Sequence, residues 1–338
     1  MAGFKKLDVG LSIAVAVLVV LVLGFAGYFG YNVYQDRLAA ENSSPAARVA
    51  KVLAAQVKQN PNDTTLRVRY GEALAASGKP QQAIEQLNAA LKIDPKHTGA
   101  FEDLGQIAMA QNHPVEAGRY FQKVVDLSAG SEFQDVNQRR EVALYSLGLL
   151  AMQNKDYQTA IAQFKAALRI RNDSSDTYYY LGDAFYLSGD LEEAVKQVRT
   201  GLAFDPNFAQ AHFLLGDIYM AQKDKVNASY EYMKAATLNP NAPEPKQAVA
   251  QFGDPAALVK QAASLQNTDI EAALEDILIA RNLDPNSAAA AIVHGQILVK
   301  RNNGKDALDV YRQALKLDPS NVQVQAIVKQ LAAKYGKK

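Results

Sequence analysis

The chain has 338 residues, with 36 lysines and arginines against 35 aspartates and glutamates and a net charge of +1. That length allows a large core, and the balance leaves no overall field to draw in nucleic acid or an acidic substrate. Cysteine is absent, which excludes disulfides, thiolate metal sites and cysteine nucleophiles.

At the N-terminus, Lys5 and Lys6 precede an uncharged stretch from Val9 to Gln35. About 20 apolar residues at ~1.5 Å rise span a hydrocarbon layer of roughly 30 Å. Residues 9–34 are therefore expected to form one transmembrane helix after a short cytoplasmic N-terminus, 1–8. Tyr28, Tyr31 and Tyr34 cluster at its far end like an interfacial belt, and the basic pair favours a cytoplasmic N-terminus. The repeat region then lies on the extracytoplasmic side, with a bacterial cell envelope as the expected setting. A cleaved signal peptide and the opposite topology are the competing readings. Against the former, the apolar run exceeds the roughly 7–15 residues of a signal-peptide core, and Gly24-Phe25-Ala26-Gly27 is a poor cut site.

Residues 35–45 read as a polar linker. Ser44-Pro45 has the form of a helix start, with serine as N-cap and proline in the first turn. Val49, Val52, Leu53 and Val57 follow at helical spacing.

From there a pattern returns every 34 residues. Leu-Gly occurs at Leu104-Gly105, Leu147-Gly148, Leu181-Gly182 and Leu215-Gly216, and an alanine follows each glycine at Ala117, Ala160, Ala194 and Ala228. Asp-Pro or Asn-Pro closes most units, at Pro95, Pro206, Pro240, Pro285 and Pro319. A fixed period of this length signals stacked supersecondary units. Glycine in a helix interior costs about 1 kcal/mol relative to alanine, so its recurrence calls for close approach of a paired helix. The small partner is the alanine, joined by Ala83, Ala273 and Ala307. Four residues beyond each alanine stands a larger knob: Leu87, Phe121, Phe164, Val198, Tyr232, Ile277 and Tyr311. All of these read as packing residues.

The pattern resembles the tetratricopeptide repeat, a helix-turn-helix unit. The resemblance covers residues 46–321 and implies an all-α solenoid of about seven repeats, beginning at Thr64, Thr98, Glu141, Ser175, Ala209, Asp254 and Ala288. Residues 322–338 follow as a capping helix, with Val324, Ile327, Val328 and Leu331 on one face. Two insertions break the period, at 129–140 and 243–253, and the unit from Asp254 carries Gln261 in the glycine position. Each insertion reads as a tolerated loop or as a partner contact.

Nothing points to catalysis. His97, His113, His212 and His294 are scattered, without metal-ligand spacing or a nucleophile–base–acid order, and no glycine-rich phosphate loop occurs. Neither a cofactor nor a metal is expected, and the chain is not expected to be an enzyme. Binding is better supported. In tetratricopeptide arrays the first helix of each unit lines a concave groove through its second, fifth, ninth and twelfth positions. Carried onto this sequence, the resemblance implies a protein-binding groove at Tyr145, Leu149, Met152, Tyr179, Asp183, Tyr186, Phe213, Asp217 and Met220. Aromatics bury large areas and methionine adapts to irregular partners, so such a strip is adhesive. Its alternative reading is packing against neighbouring helices.

Family members that bind acidic C-terminal tails use Lys, Arg and Asn at groove positions. Here the ninth positions are Glu72, Gln106, Leu149, Asp183 and Asp217, so a hydrophobic or mildly basic protein segment is the expected partner, and nucleic acid is not. The expected function is a non-catalytic, membrane-anchored scaffold or co-chaperone for assembly of envelope protein complexes. Its alternative is a self-associating protein that organises a membrane compartment or filament.

Overall fold

The computed structural model describes residues 28–35, 44–129 and 138–336. Residues 28–35 are helical (α1). Seventeen further helices follow, α2 to α18, and no strand occurs among the described residues. Most of the expected membrane span, residues 9–27, lies outside the described residues. Within them, no helix is long and apolar enough to cross a membrane.

The described residues form two compact units, one ending at Ala143 and the other starting at Leu144, with the boundary inside α7 (Gln138–Gln153). In the first unit, α2 (Pro45–Gln59), α3 (Thr64–Ala76), α4 (Pro80–Ile93), α5 (Thr98–Ala110) and α6 (Pro114–Leu127) pack in chain order, each on the next. Leu53, Leu74, Leu87 and Leu104 anchor its core. The second unit takes in α8 (Tyr157–Ile170), α9 (Ser175–Ser188), α10 (Leu191–Phe204), α11 (Ala209–Ala221) and α12 (Lys225–Leu238). It continues through α13 (Pro243–Ala250), α14 (Pro255–Leu265), α15 (Ile270–Leu283), α16 (Ala288–Lys300), α17 (Gly304–Leu317) and α18 (Val322–Tyr335).

Short polar side chains start these helices. Asp63, Asp156, Ser174, Asp190, Asp224, Asp269, Ser287, Asn303 and Asn321 each accept a backbone N–H three residues on, satisfying donors that the first turn leaves unpaired. In six helix pairs the joining turn contains one left-handed residue. Glycine fills it at Gly78 and Gly189, whereas Asn112, Lys155, Lys223 and Asn302 take it with φ near 60°, a conformation that costs a residue bearing Cβ about 1–2 kcal/mol.

Packing within the pairs follows the glycine–alanine–knob code. Ala83, Ala117, Ala160, Ala194, Ala228, Ala273 and Ala307 are all completely buried. The knobs lie over the glycines: a Cβ on Gly148 would fall 2.5 Å from the Phe164 ring, and one on Gly216 2.5 Å from that of Tyr232.

The insertion at 243–253 is the helix α13 with the turn that ends it, not a loop. α12 packs against both α13 and α15, and Asn282 on α15 donates to the Val226 carbonyl and to Ser229 Oγ, both at 2.9 Å. The unit carrying Gln261 is a helix pair in which Gln261 is exposed. Of the insertion at 129–140, residues 130–137 lie outside the described residues, and Gln138–Arg140 open α7. At the end, α18 buries Val324 and packs Ile327, Val328 and Leu331 on the last core cluster, while Lys329 and Lys334 are exposed.

Candidate functional site

The second unit contains the nine groove residues, on α7, α9 and α11. On each helix the three are spaced i, i+4, i+7, which sets them along one face. All nine are half-buried. Tyr145, Leu149, Met152, Tyr179, Tyr186, Phe213 and Met220 pack one side against the core around Phe164, Leu181, Val198 and Leu215.

Aromatic contacts link the strip to its supports. Tyr179 meets Tyr180 edge-on at 5.0 Å between ring centroids and Phe208 at 5.2 Å. Tyr145 meets Tyr180 at 5.9 Å, and Phe213 meets Tyr232 at 5.4 Å. Such pairs contribute about 0.5–1.5 kcal/mol each beyond area burial, so the rings are held in place before any partner arrives.

Asp183 and Asp217 set the electrostatics. Burial, and then the neighbouring Asp217 carboxylate, raise the Asp183 pKa to about 6. Burial raises that of Asp217 as well, offset by the Tyr232 hydroxyl, which donates to its Oδ1 at 2.6 Å. Burial followed by the Asp183 charge pushes Tyr179 up to about 12, and Tyr186 is raised by burial and then by Asp217 and Asp183. Among the described residues, no basic side chain acts on any of these four groups. The strip is thus an aromatic surface holding two carboxylates that lack a counter-cation.

Tyr232 has a second role that sequence reasoning missed: it is a packing knob over Gly216 and also the hydroxyl donor to Asp217. The sequence signal was its position on the second helix of the unit whose first helix carries Asp217. α13 is the other omission. Its turn residue Phe252 approaches Tyr232 at 6.3 Å, and Val249 and Phe252 join the core cluster under the strip. The break in the period was the available signal.

The first unit has acidic groups at equivalent places, in a different setting. Glu102 is bridged by Arg139 at 2.7 Å and accepts from Gln106 Nε2 at 3.3 Å. Beside it, Asp103 is raised to about 7 by burial and by the Glu72 and Glu102 charges. Two of the histidines are structural. His212 sits between the Glu231 carboxylate at 2.6 Å and the Pro206 carbonyl at 3.1 Å. His294 accepts from Arg281, and burial followed by that guanidinium lowers it to about 4. Among the described residues no three metal-ligating side chains converge.

Comparison with known proteins follows the same periodicity. Models described as tetratricopeptide repeat match residues 36–98, 68–132, 151–218, 209–242 and 263–322. The probable UDP-N-acetylglucosamine–peptide N-acetylglucosaminyltransferase SPINDLY of Hordeum vulgare is 29% identical over 112 residues, 33% of this chain. The chain spans only 12% of that protein's length. Among solved structures, YrrB, described as a TPR protein with an unusual peptide-binding site, aligns with a TM-score of 0.51 and 19% identity, over 59% of this chain and 98% of its own. The MamA protein aligns with a TM-score of 0.46 and 24% identity, over 52% and 92%. The likeness to YrrB is one of fold. With the family's models matching on both sides of each break in the period, and its glycine–alanine–knob packing present in six helix pairs, the chain belongs to the tetratricopeptide repeat family.

Proposed function

We propose that this protein is a non-catalytic scaffold or co-chaperone whose second unit captures a hydrophobic or mildly basic segment of a client protein along α7, α9 and α11. The observation that carries this reading is the strip itself. Nine residues at groove positions are half-buried, Tyr145, Tyr179 and Phe213 among them are held by aromatic contacts, and two are carboxylates on which no basic side chain among the described residues acts. The strip residues stay partly accessible, where the alanines and knobs of the same helix pairs are enclosed. Desolvated carboxylates without a cation raise the free energy of the unoccupied state, and a basic segment relieves it.

The setting we propose is an envelope membrane, with residues 9–34 as anchor and the repeats on the extracytoplasmic side. The support is the uncharged run from Val9 to Gln35 behind Lys5 and Lys6. Alkaline phosphatase and fluorescent-protein fusions after Lys338 test it, since only one reporter works on each side. A fluorescent, phosphatase-inactive fusion would refute the topology.

For the groove, crosslinking of the intact anchored protein should trap a client at the strip. Tyr179→Ala combined with Phe213→Ala should abolish the crosslink while helicity is retained. A crosslink of undiminished yield in the double variant would refute this use of the groove.

A further inference from the structure

One end of the strip contains a pocket that the repeat's own groove positions do not account for. Tyr179 on α9 and Phe213 on α11 form walls of a cavity of about 260 Å³, completed by Gln210, Asn239 and, from the inserted helix α13, Glu244 and Pro245. Clefts for drug-sized ligands run to roughly 300–1,000 Å³, so this one matches a single side chain of a larger partner. The insertion supplies a wall here: Pro245 is buried, and the core contacts of Val249 and Phe252 fix α13 in place.

The lining is selective in charge. Two half-buried rings offer π faces, Gln210 and Asn239 offer amides, and the one charged group among the lining residues is Glu244. Glu244 is exposed and makes no ion pair among the described residues. Behind Tyr179 lie Asp183 and Asp217, again without a basic neighbour. Elsewhere several carboxylates have partners within the molecule, as Glu102 has Arg139, Glu231 has His212 and Glu275 has Lys225. An acidic side chain entering the pocket would be repelled, and a purely apolar one would make no use of Glu244. A basic one places its aliphatic stem between the rings and its cation against π faces and carboxylate together. The protein already uses this contact on itself, with Lys165 Nζ 4.8 Å from the centroid of the Phe185 ring.

We propose that this pocket is a subsite for one lysine or arginine side chain of the bound protein segment, flanked by Tyr179 and Phe213 and paired with Glu244 of the inserted helix. The proposal rests on the reading of the strip as a client groove and specifies what that groove selects. It also gives the insertion a role as the specificity element.

The test is selection of a random dodecapeptide library on the full chain in detergent micelles, followed by affinity measurement with the fluorescently labelled consensus peptide. The expected consensus carries lysine or arginine at one fixed position among apolar residues. Replacing that residue by norleucine, or by citrulline for arginine, should weaken binding about tenfold. Glu244→Gln should weaken the original peptide about two- to fivefold, less than loss of the cation, which also ends the ring contacts, and the uncharged peptide hardly at all. As Glu244 is exposed, this variant keeps its fold, which circular dichroism checks. A consensus without a basic residue, or an affinity unchanged by Glu244→Gln, overturns the subsite. If such peptides still lose binding to the Tyr179→Ala, Phe213→Ala variant, the groove reading survives alone. Selection of no peptide, or of peptides indifferent to that double change, overturns both.

Discussion

Gly148→Ala puts the packing code to a quantitative test. Taken as a helix substitution alone it should stabilise, since alanine is favoured over glycine by about 1 kcal/mol in a helix interior. The structure reverses the sign. The new Cβ would lie 2.5, 2.7 and 2.8 Å from Cε1, Cδ1 and Cζ of Phe164, about 1 Å inside an ordinary carbon contact of ~3.5–4.0 Å. The ring cannot swing away, because Phe164 is fully buried and has Tyr145 at 5.9 Å and Tyr180 at 6.0 Å. Overpacking of this kind costs about 1–3 kcal/mol, and with both sides of the ring blocked the upper part of that range applies. The net expectation is a loss of about 1–2 kcal/mol. Gly71→Ala provides the contrast: it meets Leu87 Cγ and Cδ2 at 2.9 and 3.0 Å, an overlap about 0.4 Å smaller, so an overpacking cost at the low end, about 1 kcal/mol, leaves its net effect near zero. Urea unfolding of residues 44–338, followed by circular dichroism, reads both values. Adding Phe164→Leu should make Gly148→Ala favourable by restoring room, a coupling of about 1 kcal/mol or more. A Gly148→Ala variant at least as stable as the parent, or no coupling to Phe164→Leu, would refute the reasoning.

Other consequences are equally direct. Asp103 holds a proton in the folded state up to about pH 7, against an ordinary value of 3.8, so between these limits the native state binds more protons than the unfolded chain. Stability of the first unit should therefore fall as pH rises from about 4 to 7, by at most about 4 kcal/mol at ~1.4 kcal/mol per pH unit. Asp103→Asn should flatten that slope in chemical denaturation, and an unchanged slope would count against it. Tyr232→Phe removes the donor to Asp217 and should cost about 1–2 kcal/mol near pH 7.5, with a smaller loss once acid has protonated Asp217. Lys223→Gly relieves a left-handed backbone at φ 63°. The relief of about 1–2 kcal/mol, less the extra chain entropy of glycine at ~0.5–1, predicts a gain of about 0.5–1 kcal/mol in the urea midpoint analysis. Because Asp183 titrates near 6, affinity for a basic consensus peptide should fall severalfold between pH 7 and pH 5. Affinity that is flat or rises over that range would remove Asp183 from recognition.

The helix pairs were legible because their code is periodic and local. Gly148 with Ala160 and Phe164, or Gly216 with Ala228 and Tyr232, repeats a steric requirement at fixed spacing, and a requirement repeated that often stands out from a single chain. The spacing of the groove positions also follows from helix geometry, which puts i, i+4 and i+7 on one side whatever the neighbours are. The insertion at 243–253 was harder to read. Its sequence, Pro243-Glu-Pro-Lys-Gln-Ala-Val-Ala, is short and proline-rich, and whether it stays a loop depends on the contacts that Val249 and Phe252 find.

What the sequence by itself determined about this protein is the all-α class, the tetratricopeptide period and the packing roles of its glycines, alanines and knobs, since these depend on residues near one another in the chain. Only the tertiary structure decided which groups share an environment. Asp217 raises the pKa of Asp183, 34 residues away in the chain, because α9 and α11 come into contact. Tyr232 reaches Asp217 because α12 folds back on α11. Glu244 meets Tyr179 and Phe213 around one pocket because α13 packs on α12. Charge, burial and enclosure depend on distances through space, and those are set when the helices pack.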